Sequence, residues 1–562
     1  MTAGTVLDRP WFAHYPPGVP TTIDPARFES LVAMFDDTCA RYPTRPAFGN
    51  FGVFLDYQRL QARTHAFAAY LQRELEVAAG DRVALMLPNV LQYPVAMLGA
   101  LRAGAVVVNT NPLYTPRELK HQLNDSGARV IVVFDAMLAT LAGIIDETPI
   151  ETVIVAHLGD LFPRIKRSLF NFVSARRRGH RLPAVRGSVK FSDVMAQGRR
   201  LEHTPAPLKA GDIAFLQYTG GTTGVSKGAM LTHRSMIANA LQTNVWMNVA
   251  ARAGEEIAIT ALPLYHVLAL SLNCFSLMML GGCSYLISNP RDVDQFIREM
   301  ARVPFTGFFG VNTLFTSLLN APAFGALDFS KLRLSGGGGS AVQRPIAERW
   351  QEITGTLIVE GYGLTESSGA LTANPLHRAD FSGTIGVPLP STECEIRDDA
   401  GQPVPPGTPG EIWARGPQLM QGYWQRPDDT AEVMTPDGWL KTGDIGVMRE
   451  DGYFEVVDRK KDMILVSGFN VFPNEVEEVL AMHPAVIESA VIGVPDDRSG
   501  EAVKAIVVVN DASVAPATLI AHCREHLTAY KVPRQIVFAS ELPKSNVGKI
   551  LRRALRERES SS

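Results

Sequence analysis

The residues best suited to phosphate chemistry lie in one loop, 218–228, with the sequence Tyr-Thr-Gly-Gly-Thr-Thr-Gly-Val-Ser-Lys-Gly. Glycines allow backbone N–H groups to turn towards an anion, while hydroxyl side chains and a lysine complete a polar shell. Residues 213–218 before the loop are apolar enough for a buried strand, and residues 229–246 after it have helical spacing of apolar residues. This pattern predicts a phosphate-binding loop between a strand and a helix.

Two better-known motifs compete for the same loop. A Walker A loop ends in Gly-Lys-Ser/Thr, whereas Lys227 follows Ser226 and precedes Gly228, which disfavours a P-loop NTPase. Residues 224–228 do match the Gly-x-Ser-x-Gly elbow of serine hydrolases. An elbow places its serine on a sharp turn directly after a strand, and here several residues intervene. Because the motif itself matches, a hydrolase that uses Ser226 is kept as the alternative from a different class of protein.

Four further segments combine glycine turns with groups that could contact a nucleotide. Residues 335–339 (Ser-Gly-Gly-Gly-Gly) allow a flat ring to approach the backbone. Residues 361–366 (Gly-Tyr-Gly-Leu-Thr-Glu) bring a ring, a hydroxyl and a carboxylate together, and 439–444 end in a carboxylate suited to a ribose diol. Residues 543–549 present a lysine on a flexible turn. Each segment alone is more often a simple turn. The occurrence of all four in this order, after the loop 218–228, indicates a nucleotide-binding protein.

Together these motifs resemble those of the adenylate-forming enzymes, which include acyl- and aryl-CoA synthetases, luciferases and nonribosomal peptide adenylation domains. The resemblance extends over residues 28–556 and is strongest to bacterial long-chain fatty-acid CoA ligases, especially at 263–266, 310–315 and 458–477. It implies that ATP, Mg²⁺ and coenzyme A are used to convert a long- or medium-chain fatty acid into its acyl-CoA through an acyl-adenylate. The remaining alternatives are a CoA ligase for an aryl or branched acid and an inactive acyl-nucleotide binding protein.

The resemblance also implies a role for each matching residue. The nucleotide would be bound by Thr219, Gly220, Gly221, Thr222, Thr223, Gly224, Lys227, Gly337, Gly338, Gly361, Tyr362, Gly363, Thr365, Asp444, Arg459 and Lys549. The catalytic residues would be Lys549, His266, Thr365 and Glu366, and the magnesium ligands Glu366 and Thr222. The acyl group would contact His266, Gly310 and Val311, Lys461 would be the hinge, and Ser467, Gly468 and Phe469 would line the CoA tunnel.

This chain departs from the family pattern at two places. Asn470 stands where relatives have Arg or Gln, and small residues at 367–370 are expected to alter the floor of the acyl pocket. Residues 458–473 lack the insertion often found in relatives that make only acyl-adenylates, which favours coenzyme A as the acceptor. Because Lys549 and the CoA loop lie in the same domain, we predict a rotation about residues 458–461 between the two half-reactions.

The order of elements predicts an α/β protein. Strands and helices alternate from residue 83 to 156 and again from 257 to 359, and short strands with Pro/Gly turns follow from about 381. With the resemblance, this order implies a large N-terminal domain, 1–458, of two α/β subdomains plus a small β-barrel. A hinge would join it to a mobile α+β C-terminal domain, 459–562.

Composition indicates a soluble, cytoplasmic protein. The chain has 562 residues, of which 46% are hydrophobic and 20% charged, and its net charge of −3 gives no reason to expect a nucleic-acid partner. Its five cysteines are scattered and suit reduced thiols. We find no export signal at the N-terminus. Residues 260–282 are long enough to span a bilayer, but Pro263, His266 and further polar residues favour a buried strand-loop-helix.

Residues 158–181 mix aromatic and aliphatic side chains with seven basic residues. Such a segment could lie as an amphipathic helix on an anionic membrane, or as a solvated basic helix on the protein surface. The sequence leaves this choice open, as it does homodimerisation.

Residues 522–526, His-Cys-Arg-Glu-His, fit the His-x-x-Glu-His pattern of zinc enzymes. Both histidines lie off the centre of the apolar face that Leu519, Ile520, Cys523 and Leu527 would bury, and no further ligand is evident from the sequence. We therefore do not expect a metal there.

Overall fold

The computed structural model describes residues 9–178, 182–219, 226–467, 469–496, 498–511, 513–545 and 548–560. Its strands are β1 (Pro46–Asn50), β2 (Val53–Asp56), β3 (Arg82–Met86), β4 (Val106–Asn109), β5 (Val130–Phe134), β6 (Thr152–Ala156), β7 (Ser188–Lys190), β8 (Ile213–Thr219), β9 (Lys227–Thr232), β10 (Ile257–Thr260), β11 (Cys283–Leu286), β12 (Gly307–Gly310), β13 (Leu334–Gly337), β14 (Ile358–Leu364), β15 (Gly369–Ala373), β16 (Val387–Pro388), β17 (Glu393–Arg397), β18 (Gly410–Arg415), β19 (Leu440–Met448), β20 (Phe454–Arg459), β21 (Ile464–Val466), β22 (Phe469–Val471), β23 (Val486–Asp496), β24 (Gly500–Val509) and β25 (Gln535–Phe538).

The α-helices are α1 (Leu31–Arg41), α2 (Tyr57–Arg73), α3 (Gln92–Arg102), α4 (Pro116–Ser126), α5 (Leu138–Ala142), α6 (Arg164–Arg178), α7 (Phe191–Gly198), α8 (His233–Met247), α9 (Leu277–Met279), α10 (Val293–Met300), α11 (Asn312–Leu319), α12 (Arg344–Thr354), α13 (Pro427–Val433), α14 (Pro473–Ala481), α15 (Pro516–His526) and α16 (Arg552–Ser560). A π-helix, Ala269–Ser276, runs directly into α9.

Two large sheets form the scaffold of the protein. One has seven strands in the order β7-β6-β5-β3-β4-β8-β9, and its pairs are parallel except β8 with β9. The other has nine strands in the order β16-β15-β14-β13-β12-β10-β11-β1-β2, with a parallel centre and antiparallel edges. Central strands such as Val-Ile-Val-Val-Phe of β5 are nearly continuous apolar runs because helices cover both faces.

Local sequence signals set the ends of the helices between these strands. In α4, Thr115 accepts a hydrogen bond from the Glu118 N–H while the Glu118 carboxylate accepts one from the Thr115 N–H. Pro116 suits the first turn, where an N–H would lack a helical partner, and Gly127 ends the helix with a left-handed φ of 63°.

Two smaller sheets follow in sequence. Strands β17-β18-β19-β20 form an antiparallel sheet at the position predicted for the small barrel, and the predicted boundary at residue 458 falls inside β20. Strands β22-β21-β24-β23, with β25 beside β24, form the last sheet, which packs against α14 and α15. We call the part from β21 onward the C-terminal domain and the preceding part the large domain. This architecture confirms the predicted α/β fold class.

Some predicted elements differ in detail. Residues 229–232 belong to strand β9 and not to a helix, because they pair with β8 in an antiparallel hairpin and α8 starts only at His233. The segments predicted to follow strands at 335–337 and 361–364 lie within β13 and β14. Residues 260–282 form a strand end, a loop and buried helix, as predicted. Among the described helices, none combines the length and apolarity required to cross a bilayer.

Candidate active site

A cleft of about 1830 Å³ opens between the nine-stranded sheet, the four-stranded sheet and the C-terminal domain. The predicted site residues that line it are Thr219, Lys227, His266, Gly310, Val311, Gly337, Gly338, Gly361, Tyr362, Gly363, Thr365, Glu366, Asp444, Arg459, Lys461 and Lys549. Gly220, Gly221, Thr222, Thr223, Gly224 and Gly468 lie outside the described residues. Ser467 and Phe469 do not line the cleft.

Glycines in β13 and β14 let the backbone itself form part of the cleft wall. A Cβ atom on Gly363 would lie 1.9 Å from the carbonyl oxygen of Gly369, and one on Gly337 would lie 2.5 Å from Cγ2 of Val342. Neither position has room for a side chain, so both strands keep a flat, unobstructed surface suited to a planar ring.

Tyr362, Asp444 and Arg459 form a polar group on one side of these glycines. The Tyr362 hydroxyl donates to Oδ2 of Asp444 at 2.6 Å, and Nε of Arg459 lies 3.5 Å from Oδ1. The pairing of β19 with β20 sets Asp444 directly opposite Arg459. Burial, and then the Asp444 carboxylate, raise the pKa of Tyr362, so the phenol stays protonated and donates. The arrangement offers carboxylate and guanidinium groups to a hydroxyl-bearing ligand.

Lys227 and Glu366 are linked through Tyr423. The Lys227 ammonium pairs with Asp429 and lies 5.4 Å from the centre of the Tyr423 ring. The Tyr423 hydroxyl donates to Oε1 of Glu366 at 2.7 Å. Sequence reasoning missed Tyr423 and Asp429, since Asp429 lies 202 residues from Lys227 and no local pattern joins them. The contacts hold a cation and a carboxylate at the edge of the glycine-rich loop.

Lys549 enters the cleft from the C-terminal domain on a short turn. Within the turn, the Ser545 N–H donates to the Lys549 carbonyl at 2.6 Å and the Lys549 N–H donates to Ser545 Oγ at 3.1 Å. Thr313 of α11 donates from Oγ1 to the Gly548 carbonyl at 3.2 Å, which docks the turn on the large domain. Burial lowers the pKa of Lys549 to about 8, and the Arg459 guanidinium adds to this effect.

His266 stands just before the π-helix and is kept neutral. Burial, followed by the charge of Lys549, lowers its pKa to about 4. Its Nδ1 accepts a hydrogen bond from the Leu268 N–H at 3.4 Å, so the ring proton belongs on Nε2. A neutral imidazole can donate to a carboxylate oxygen without forming a competing ion pair.

The cleft continues past His266 between α8, the π-helix and β15. Its wall there is largely apolar and is formed by Trp246, Met247, Val267, Leu268, Leu272, Phe309 and Leu376. Asn239 closes one side, where it accepts from Ser271 Oγ at 2.6 Å and donates to the Ala370 carbonyl at 2.7 Å. Gly369 and Ala370 of the small-residue segment also line the cleft. This part can receive an apolar chain.

Glu360 is a second cleft residue that sequence reasoning missed. The residue is 8% exposed; Oε1 accepts a hydrogen bond from the Val342 N–H at 3.0 Å, and Oε2 is buried with no hydrogen-bond partner among the described residues. Burial raises its pKa to about 7. The available signal was an acidic residue at the end of the apolar run 357–359, directly before Gly361.

At the predicted hinge, carboxylates surround Arg552 of α16. Its guanidinium lies 3.0 Å from Oδ1 of Asp458, 2.7 Å from Oε2 of Glu477 and 3.7 Å from Oδ2 of Asp462. Asp458 is fully buried and also accepts hydrogen bonds from the Asn474 and Arg459 N–H groups. The predicted hinge residue Lys461 lies beside this network, and burial together with Arg459 lowers its pKa to about 8. These ion pairs tie α16 to the end of β20.

Ser467 and Phe469, the described residues of the predicted CoA loop, are exposed on the C-terminal domain. Ser467 has a φ of 51° and donates from its N–H to the Ser499 carbonyl at 2.8 Å. The Phe469 ring is 57% exposed and stacks on Tyr530 with 4.9 Å between ring centres. In this orientation the C-terminal domain presents Lys549 to the cleft and turns Ser467 and Phe469 away from it.

Ser226, the alternative nucleophile, directly precedes β9. The element that follows is therefore the second strand of a hairpin and not the helix that a nucleophile elbow requires. His121 contacts the Ser226 carbonyl oxygen at 3.1 Å through Nε2. This local structure does not form the strand-turn-helix of a hydrolase.

Comparison with known proteins identifies the family of the chain. Residues 35–424 match the family model of the AMP-binding enzymes, and residues 475–549 match that of the AMP-binding enzyme C-terminal domain. A long-chain-fatty-acid–CoA ligase of Yersinia pestis is 53% identical over 557 residues, 98% of each chain. The chain thus belongs to the AMP-binding enzyme family.

Solved structures agree in fold. The anthranilate CoA ligase AuaEII, in complex with anthranoyl-AMP, aligns with a TM-score of 0.85 at 26% identity, covering 96% of this chain and 99% of that one. ATP-bound MatB from Rhodopseudomonas palustris aligns with a TM-score of 0.80 at 28% identity, covering 94% and 98% of the two chains. The apo form of MatB aligns with a TM-score of 0.71 at the same coverage of the two chains.

Replacing Arg552 should weaken the docking of the C-terminal domain. In Arg552→Gln the buried Asp458 and Glu477 lose their charged partner, which typically costs about 3–5 kcal/mol. The neighbouring Arg553 makes an exposed pair with Glu557, so Arg553→Gln should change stability by less than about 0.5 kcal/mol. Urea unfolding, together with hydrogen exchange in β20 and α14, would measure both; equal effects of the two variants would contradict the role of the network.

Proposed function

We propose that this chain is an AMP-forming ligase that activates a long- or medium-chain fatty acid with ATP and transfers it to coenzyme A. The observation that carries the proposal is the meeting of Lys549 with His266, Asp444 and Arg459 in one cleft that continues into an apolar pocket. The high identity to a long-chain-fatty-acid–CoA ligase over nearly the whole chain supports the same conclusion.

In the first half-reaction, a carboxylate oxygen of the fatty acid attacks the α-phosphorus of ATP. The bond from that phosphorus to the bridging oxygen breaks, and pyrophosphate leaves with the electron pair. Two anions must approach each other, so the protein has to neutralise charge and align the reactants. Lys549 would bridge the carboxylate and α-phosphate oxygens, while His266 would donate from Nε2 to the carboxylate.

The other cleft residues would hold the nucleotide. The glycines of β13 and β14 would receive the adenine with Tyr362 beside it, Asp444 and Arg459 would bind the ribose, and Thr219 and Lys227 the phosphates. Thr365 would contact the α-phosphate. Carboxylate and phosphate oxygens are the ligands Mg²⁺ prefers, so Glu366, oriented by Tyr423, fits as its protein ligand. When bound, Mg²⁺ would neutralise phosphate charge.

In the second half-reaction, the thiol of coenzyme A attacks the acyl carbonyl carbon, its proton passes to solvent and AMP leaves. Ser467 and Phe469 would have to reach the acyl group for this step, although they lie outside the cleft in the present orientation. A rotation about residues 458–461 would exchange Lys549 for this loop. The better alignment to ATP-bound than to apo MatB supports assigning the present orientation to adenylation.

The alternative substrates are aryl and branched acids. The structural similarity to an anthranilate CoA ligase is a reason to test aryl acids. The largely apolar side chains that line the part of the cleft past His266 favour a fatty chain. A serine hydrolase is disfavoured by the strand that follows Ser226. An inactive nucleotide-binding protein is disfavoured because Glu366, Asp444 and Lys549 are all present and line the cleft.

The primary test is product analysis with ATP, Mg²⁺ and palmitate, with and without coenzyme A. We expect AMP, pyrophosphate and palmitoyl-CoA in equal amounts, with sustained turnover only when coenzyme A is present. A series of acids from hexanoate to stearate, with benzoate and isovalerate, would give the chain length. Faster turnover of benzoate or isovalerate would replace the fatty acid in the proposal, and absence of AMP with every acid would refute the ligase.

Lys549→Ala should slow adenylation by a factor on the order of 10²–10³, as expected for loss of one electrostatic donor. Thioester formation from supplied acyl-AMP and coenzyme A should change little, because that step does not use Lys549. Lys544→Ala is the matched control, since Lys544 lies on the same turn but pairs with Glu488. Equal losses in both half-reactions would rule out the alternation.

The pH profile of adenylation is a second test of the role of the Lys549 ammonium. Because its pKa is lowered to about 8, the ammonium is present at pH 7 and is lost as the pH rises through 8. The kcat/KM of adenylation, which reports groups of the ligand-free enzyme, should therefore fall above about pH 8 in the native chain. The Lys549→Arg variant keeps its positive charge, so the activity that remains in it should not fall above pH 8. If the variant loses activity above pH 8 as the native chain does, the titrating group is not Lys549.

We also propose that α6 rests on an anionic membrane surface, where fatty acids partition. Ile165, Leu169 and Phe172, at helical spacing i, i+4 and i+7, are 89%, 57% and 65% exposed. The opposite side of the helix is held by Phe170, which packs on Phe51 and Phe162. The helix carries six basic residues and no acidic one, so an exposed apolar stripe is combined with positive charge.

Serine at positions 165, 169 and 172 should weaken binding to vesicles of anionic lipid by more than about tenfold, since each buried CH₂ contributes about 0.8 kcal/mol. Binding of the native chain should also weaken with salt. Met482→Ser with Val249→Ser, two exposed apolar side chains elsewhere, is the control. Co-sedimentation that is the same for all three proteins would leave α6 as a solvated surface helix.

A further inference from the structure

A cluster of imidazole and carboxylate groups lies on the C-terminal domain, away from the cleft. His522, Glu525 and His526 occupy positions i, i+3 and i+4 of α15, which place them on one face of the helix. One ligand atom from each of the three lies within 4.8 Å of the other two. The rings of His522 and His526 are 4.9 Å apart between centres. None of the three side chains lines the cleft.

The hydrogen bonding of His522 prepares it to bind a metal. Its Nε2 lies 2.9 Å from the carbonyl oxygen of Val479 in α14, so the ring N–H donates there and the lone pair is on Nδ1. Imidazoles that ligate metals commonly donate their other N–H to a backbone carbonyl in this way, which fixes the tautomer and the ring orientation. The ring of His483 packs edge-on against His522 at 5.3 Å and restricts it further.

We propose that His522, Glu525 and His526 form a binding site for a borderline divalent metal ion such as Zn²⁺ or Ni²⁺. Two imidazoles and one carboxylate suit these ions far better than Mg²⁺ or Ca²⁺, which prefer all-oxygen ligands. Glu525 supplies the further ligand that the spacing of the two histidines alone does not provide. Glu525 and His526 are exposed, so the ion reaches the site from solvent and keeps water in its remaining positions.

The ion would join successive turns of α15 and, through the His522 bond to Val479, strengthen the packing of α15 on α14. Both helices cover the sheet of the C-terminal domain, but none of the three proposed ligands lines the cleft. The expected effect of the metal is therefore greater stability of the C-terminal domain and no change in the chemistry of either half-reaction.

The test is titration of the full chain, free of any histidine tag and treated with chelator, with Zn²⁺ or Ni²⁺ alone. Calorimetry should give one equivalent bound, and His526→Ala and Glu525→Gln should each bind at least tenfold more weakly. His377→Ala, an exposed histidine elsewhere, and Glu366→Gln, at the predicted magnesium ligand, should bind as the native chain does.

A second measurement separates loss of the site from loss of the fold. Zn²⁺ should raise the unfolding temperature of the native chain and of His377→Ala but not that of His526→Ala, whose metal-free unfolding temperature should equal the native value because the side chain is exposed. Failure of the native chain to bind one equivalent, or affinities of His526→Ala and Glu525→Gln equal to that of the native chain, would overturn the proposal.

Discussion

Three largely buried carboxylates converge at the junction of the two domains, and Arg552 supplies much of the charge that balances them. Charges withdrawn from water are tolerated only when they are closely paired, so the guanidinium holds Asp458 at the end of β20, Glu477 in α14 and its own helix α16 together. The turn that carries Lys549 ends only two residues before α16 begins. The position of Lys549 in the cleft therefore depends on ion pairs at the predicted hinge, and on the hydrogen bond from Thr313 to the turn itself.

Much of the fold could be predicted because local signals dominate it. The apolar runs at 130–134 and 213–218 are strands, and Pro516 begins α15 as its fixed φ suggests. The site motifs were recognisable for a related reason, because glycine is required wherever backbone must approach backbone. Gly363 shows this directly, since the Gly369 carbonyl occupies the space of a side chain. Every described candidate residue except Ser467 and Phe469 lines the cleft, although the individual roles remain predictions.

The residues that were missed act through tertiary contacts. Tyr423 orients Glu366 and contacts Lys227, yet it lies in an irregular segment before α13 without any periodic pattern. Glu360 resembles any strand residue until the structure shows that one of its carboxylate oxygens is buried and unpaired among the described residues. Residues 229–232 have helical spacing, but a hairpin with β8 overrides it because pairing satisfies the backbone of an otherwise open sheet edge. The spacing of residue types along a chain does not show which distant residues will contact each other in the fold.

The cluster of cations in the cleft has a further consequence for domain motion. Burial depresses the pKa of Lys549 and of Lys461, and the charge of Arg459 adds to the effect on both lysines. The repulsion from Arg459 is a free-energy penalty borne by the present orientation of the C-terminal domain, and the Asp444 and Asp462 carboxylates offset it in part. A polyphosphate ligand would reduce the penalty further and would bind this orientation in preference to others, which is the condition for a shift in population. The nucleotide would then act as the counterion that assembles its own site, and the departure of pyrophosphate would restore the repulsion that reopens it.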